Sequence, residues 1–93
     1  MAVLVTPTFA RAAKKLHAKE KDVVDKAVRT IAGNPTLGEE KKGDLAGIFV
    51  YKFKINKQEV LLAYRLEPDK FAPLSVQLLS IGAHENFYAE LKR

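Results

Sequence analysis

The sequence predicts an α+β fold, with helices segregated to one face of a mostly antiparallel sheet. Three observations predict it. Apolar residues recur at helical spacing between Phe9 and Ile31, the period drops to two at Ile48, and turn signals divide the remaining chain into strands. The chain has 93 residues, and one of that size buries roughly 60–65% of the surface its unfolded form exposes. One domain over residues 1–93 is expected, with a modest core and any ligand site on the surface or in a shallow cleft.

A short strand is expected at Val3 to Val5. Thr6-Pro7-Thr8 then opens a helix, because threonine caps the first turn and proline pre-sets its dihedral angle. Phe9, Ala13 and Leu16 fall at i, i+4 and i+7, and Val24, Val28 and Ile31 repeat the pattern. The polar run from His17 to Asp22 between them fits either the turn of a helical hairpin or the exposed middle of one long helix. The hairpin is favoured, because a compact core needs both stripes on one surface. Gly33-Asn34-Pro35 ends the helical region. Residues 36–46 read as a polar connection. Ile48 to Ile55, rich in aromatic and β-branched residues, reads as a strand. Asn56-Lys57 is a two-residue turn, and Gln58 to Leu66 is the returning strand. After the loop Glu67-Pro68-Asp69-Lys70, a third strand runs from Leu74 to Ile81 and breaks at Gly82. Asn86 to Leu91 is expected as a short C-terminal helix, with Lys92 and Arg93 complementing its dipole.

Composition narrows the function. Hydrophobic residues make up 47% and charged residues 29%, a globular balance rather than a disordered one. No apolar run approaches the ~20 residues of a membrane span. The opening Met-Ala-Val-Leu-Val is too short for a signal-peptide core and lacks a basic flank, so no secretory leader is expected. The absence of cysteine excludes disulfides, thiol catalysis and Cys-ligated zinc. The two histidines stand 67 positions apart and form no short-range metal motif. Neither metal nor cofactor is expected, and a reducing, cytoplasmic location is. The net charge is +5, spread along both halves with no basic tail. A folded basic surface suits a polyanion or an acidic protein, although a soluble domain can also simply be basic.

The Asn56-Lys57 turn dictates a register in which Lys54 faces Glu59, Lys52 faces Leu61, Val50 faces Ala63 and Ile48 faces Arg65. Alternation then gathers Phe49, Tyr51, Phe53, Ile55, Val60, Leu62, Tyr64 and Leu66 on the core face. The other face, expected to remain open, collects Lys52, Lys54, Glu59 and Arg65. This is either a solvated polar face or a basic binding surface. His84 follows the third strand at a glycine break. It is either a capping residue or a proton carrier, since imidazole titrates near neutrality. Phe87 is expected to pack the tail onto the core. Tyr88 either does the same or stacks on a base. His17 is expected on the surface. No Ser-His-Asp set, paired carboxylates or phosphate loop is present.

Leu45-Ala46-Gly47, Tyr51-Lys52-Phe53-Lys54-Ile55, Leu61-Leu62-Ala63-Tyr64-Arg65 and Ile81-Gly82-Ala83-His84-Glu85-Asn86-Phe87-Tyr88 occur in an order that resembles the RelE/ParE superfamily. These are toxins of bacterial type II toxin–antitoxin systems. The histidine after the last strand is most similar to YafQ-type, RelE-like members. The resemblance implies an N-terminal strand and helical hairpin packed on a curved antiparallel sheet. It implies a cytoplasmic toxin with a cognate antitoxin as partner, no cofactor, and one of two mechanisms. RelE-like members cut messenger RNA on the ribosome, and ParE-like members poison DNA gyrase without nuclease activity. The favoured expectation is metal-independent mRNA cleavage. His84 would then be the general acid or base, Lys52, Lys54 and Arg65 would hold phosphates, and Tyr88 would orient the base. Gln58 and Glu59 stand where many members carry an arginine, and Glu85 where many carry a basic residue. A non-catalytic basic binding module remains the alternative from another class.

Overall fold

A computed structural model of the protein describes residues 1–83 together with Phe87, Tyr88 and Leu91. The elements are β1 (Ala2–Val5), α1 (Pro7–Lys14), α2 (Ala18–Gly33), β2 (Glu39–Glu40), β3 (Ile48–Ile55), β4 (Gln58–Glu67) and β5 (Ser75–Ala83), with a 3-10 turn at Gly43–Leu45. The strands form one sheet in the order β1-β5-β4-β3-β2. Phe87, Tyr88 and Leu91 have helical backbone, as expected for a short C-terminal helix.

The two apolar triplets do belong to a helical hairpin, but its turn is residues 15–17, and the polar run after His17 forms the start of α2. The Glu20 carboxylate accepts the His17 N–H at 2.8 Å, which satisfies a donor at the start of α2. Thr6 caps α1 by accepting the Phe9 N–H at 3.3 Å, and its hydroxyl donates to the Leu78 carbonyl at 2.9 Å. One side chain thus ends β1, starts α1 and fastens both to β5. Phe9, Val24 and Ile31 are buried against the sheet, with Ala13, Leu16 and Val28 packed around them.

The β3–β4 hairpin has the register the turn dictates, from Ile48 opposite Arg65 to Lys54 opposite Glu59. Asn56 and Lys57 both take positive φ, 51° and 70°. This is the type I′ turn geometry, whose twist matches that of the flanking strands. Phe49, Ile55, Leu62, Tyr64 and Leu66 are accordingly buried under the helices, flanked by Tyr51, Phe53 and Val60. In β5, Ala63 faces Ser80 but Tyr64 faces Leu78, so Leu79 is an extra residue. That bulge resets the alternation. Val76, Leu78 and Ile81 therefore all reach the helix-side core.

The sheet is mostly antiparallel, as expected, with β1 running parallel to β5 at one edge. The helical hairpin carries the chain over the sheet from this edge to the opposite one, where β2 lies. Two other expectations need correction. The connection 36–46 is not wholly irregular: Glu39 and Glu40 pair with Val50 and Phe49 as the edge strand β2. Nor is the second face fully open. Leu45, Ile48, Val50, Leu61, Ala63 and Phe87 form a second small core there, with Leu79, Tyr88 and Leu91 packed against it. The even-numbered residues of β3 are apolar at Ile48 and Val50, and only from Lys52 onward are they charged.

Tyr64 ties the layers together. It is fully buried, its ring stacks on Phe49 with centroids 5.5 Å apart, and its hydroxyl donates to the Pro35 carbonyl at 2.7 Å and accepts the Gly38 N–H at 2.9 Å. Gly38 is required at this point. A Cβ there would lie 2.8 Å from the Tyr64 hydroxyl oxygen and 3.0 Å from the Val50 carbonyl oxygen. Burial pushes the Tyr64 pKa up, so the hydroxyl keeps the proton it donates. Tyr64→Phe should lower unfolding free energy by about 1–3 kcal/mol in urea denaturation, because it strands the Pro35 carbonyl and the Gly38 amide. Lys57→Gly should raise it by about 0.5–1 kcal/mol, since glycine takes positive φ without a Cβ penalty. A Tyr64→Phe protein as stable as the parent would show that the hydroxyl ties nothing down.

Candidate functional site

The outward residues of β3 and β4 place the basic side chains on the face opposite the helices. Lys52, Lys54 and Arg65 are all exposed there. Lys54 and Glu59 face each other in register. The ion pairs among the described residues are instead Lys41–Glu39 and Lys70–Glu40.

A cavity of about 250 Å³ opens between β2 and β3, lined by Gly38, Glu39, Lys41, Val50, Lys52 and Tyr88, among others. Two of the residues expected from sequence, Lys52 and Tyr88, therefore meet at one site. Tyr88 is half-buried, with its ring edge-to-face on Phe87 at 5.2 Å between centroids. Phe87 is buried in the second core, as expected of a packing residue.

Lys54 lies two residues nearer the hairpin turn and outside this cavity. Arg65 is set apart. Lys52 pairs with Leu61, four residues before Arg65 on β4, which is about 13 Å along the strand. Arg65 lines a second cavity of about 310 Å³ with Gly47, Lys70 and Phe71. His84 and Glu85 lie outside the described residues. The last described residue of β5, Ala83, pairs with Val60 near the Lys52–Lys54 end of the hairpin.

Sequence reasoning missed Glu39 and Lys41. The Lys41 ammonium meets the Glu39 carboxylate at 2.6 Å and sits 5.3 Å from the centre of the Tyr88 ring. Its side chain is only 23% exposed, against 72% for Glu39. The Lys41 hydrogen bond, and then its charge, holds the Glu39 carboxyl below its usual range, with the charge of Lys52 adding to the effect. The Glu39 hydrogen bond in turn raises Lys41, opposed by partial burial and helped by Tyr88. The only sequence signal was the Glu39-Glu40-Lys41-Lys42 run, which alternation assigns to two faces only once β2 is known to pair with β3.

Among the described residues, no group of three or more acidic or histidine side chains is placed to hold a metal ion, and no helix is long and apolar enough to cross a membrane. The cavity brings two cations, an aromatic ring and a carboxylate together on a mostly solvent-facing surface.

A family model described as the ParE-like toxin of type II bacterial toxin–antitoxin systems matches residues 3–92. The chain belongs to this family and is the toxin component of such a system. Solved structures agree on the fold. The RelBE2 toxin–antitoxin complex from Mycobacterium tuberculosis matches with a TM-score of 0.72 at 24% identity, covering 89% of this chain and 96% of that one. The intact E. coli RelBE complex gives 0.69 at 15% identity, covering 90% and 96%. A mutant E. coli RelE in the free state gives 0.70 at 16%, covering 97% and 87%. No curated protein matches the chain.

The ion pair makes a pH prediction. Glu39 has its folded pKa lowered, so its contribution is present above the ordinary carboxylate pKa and is lost as pH falls through the lowered value. Lys41 is raised, so its contribution is present below the ordinary lysine pKa and is lost as pH rises through the raised value. The pair should persist throughout the neutral range. In carboxyl-carbon NMR titrations Glu39 should titrate at higher pH in Lys41→Met than in the parent. An unchanged midpoint would rule out the pair in solution.

Proposed function

We propose that this toxin inhibits translation by ribosome-dependent mRNA cleavage in the bacterial cytoplasm, and that a cognate antitoxin neutralises it. The observation that carries the proposal is the meeting of Lys52, Lys41 and Tyr88 in one cavity on the face opposite the helices. Cleavage by a ribose 2′-OH builds negative charge on the scissile phosphate and needs a proton at the 5′ leaving oxygen. Fixed lysines supply the first requirement without a metal. In this proposal His84 carries the proton, Lys52 and Lys54 hold phosphate, and Tyr88 orients the base. Arg65, about 13 Å along β4 from the residue paired with Lys52, holds a flanking phosphate in this proposal.

A second reading is favoured by the family itself. The matching family model describes a ParE-like toxin, and the resemblance in sequence implies gyrase poisoning for ParE-like members. The same basic face would then meet gyrase or its DNA.

The partner reading rests on the opposite edge of the sheet. Val3, Leu4 and Val5 of β1 are 39%, 50% and 54% exposed, and among the described residues no strand pairs with the outer edge of β1. Val3 and Val5 open into an apolar trough of about 390 Å³ with Phe9, Leu16, Val24 and Val28. An apolar antitoxin segment fits there by adding a strand or laying a helix. β5 and β4 lie between β1 and β3, which puts those two strands three strand spacings apart, or roughly 14 Å, so a segment that also neutralises Lys52 must cross the sheet.

Inducing the chain alone should arrest bacterial growth, and Lys52→Ala with Lys54→Ala should relieve the arrest in a folded protein. In single-turnover assays on programmed ribosomes, His84→Ala should slow mRNA cleavage by ~10²- to 10⁴-fold while leaving ribosome binding nearly unchanged. Wild-type protein that inhibits gyrase and leaves mRNA uncut would replace this reading with the second. Val3→Glu with Val5→Glu should weaken antitoxin binding but preserve toxicity. Full neutralisation of that variant would move the antitoxin elsewhere.

A further inference from the structure

The Glu39–Lys41 pair is unusual in where it lies rather than in how strong it is. An ion pair this exposed adds little to stability, so a ligand disrupts it at small cost. Its cation is nevertheless held in place. The Lys41 side chain is 23% exposed, backed by the Tyr88 ring at 5.3 Å, and its backbone N–H donates to the Ile48 carbonyl at 2.8 Å. Glu39 is the more exposed partner, at 72%. Lys52 lines the same cavity, and its charge acts on Glu39. One carboxylate and two cations, Lys41 and Lys52, therefore line the same 250 Å³ cavity, with Lys41 in direct contact with the carboxylate.

A carboxylate and a phosphodiester oxygen make the same charge-assisted hydrogen bond to an ammonium. We propose that Lys41 and Lys52 form a phosphate site in the β2–β3 cavity, which Glu39 fills as an internal counter-ion until a phosphodiester displaces it. The inference rests on the ribonuclease reading for the identity of its ligand, a phosphate of the bound RNA strand. Lys41 is then a phosphate-binding residue that no sequence motif marked. Glu39 sets the site's affinity by competing for it. Because Lys41 is already positioned, less side-chain entropy is lost on binding than at a free surface lysine.

The experiment is an NMR titration of the full chain with inorganic phosphate, following the side-chain signals of Lys41 and Lys52 and the ring of Tyr88. Saturable shifts at all three are expected. Lys41→Met should weaken phosphate binding by roughly tenfold, and Lys41→Arg should retain most of it. Glu39→Gln should strengthen it by about two- to fivefold, since the competing charge is gone. Amide spectra confirm that each variant is folded. Absent shifts, or a Lys41→Met protein that binds as well as the parent, would overturn the site. Weaker binding in Glu39→Gln would overturn the competition, making Glu39 a support. The expected phosphate binding together with uncut mRNA on programmed ribosomes would leave the site standing and remove the ribonuclease reading.

Discussion

The rest of the molecule depends on the two-residue turn at Asn56 and Lys57. Side chains on a strand alternate with a period of two, so a slip of one residue would turn every apolar side chain of the hairpin outward. With both turn residues at positive φ, Lys54 is set opposite Glu59, and the pairing runs unbroken to Ile48 opposite Arg65. One face receives Phe49, Leu62 and Tyr64, which bind the helices. The other receives Lys52, Lys54 and Arg65. Core and basic face are two consequences of a single register.

A second constraint acts through Tyr64. From the buried face of β4 its hydroxyl reaches the loop after α2, fixing Pro35 and Gly38 just before β2. The edge strand therefore lies where it does because a core residue holds its approach. Glu39 and Lys41 are delivered beside Lys52 by that tether. The cavity on the basic face is built from the opposite side of the sheet.

Much of the fold was legible because its signals were local. Thr6-Pro7, the repeated apolar triplets and the hairpin alternation each reflect contacts within one element or between neighbours. The misses were non-local. Nothing in Val3 to Val5 indicates a parallel partner more than 70 residues away, and a two-residue strand such as β2 is too short to show a period. The second core under Phe87 and Leu45 depends on segments far apart in sequence. Lys52 and Tyr88, singled out through strand parity and family resemblance, line one cavity. Arg65 shares their face but lines another cavity, because parity fixes the side of a sheet and not the distance along it. Lys41 and Glu39 were hidden in a charge run that reads as solvated loop until β2 is placed.

The central claim is that the sheet face, and not the helical hairpin, meets the target. The hairpin is a fair competitor, since it too carries exposed lysines, among them Lys19 and Lys26. Covalent lysine labelling of the toxin, free and bound to programmed ribosomes, compares the two surfaces in one measurement. The account predicts that Lys41, Lys52 and Lys54 become protected on binding while Lys19 and Lys26 stay reactive. Protection of Lys19 and Lys26 with Lys52 and Lys54 still freely labelled would contradict it.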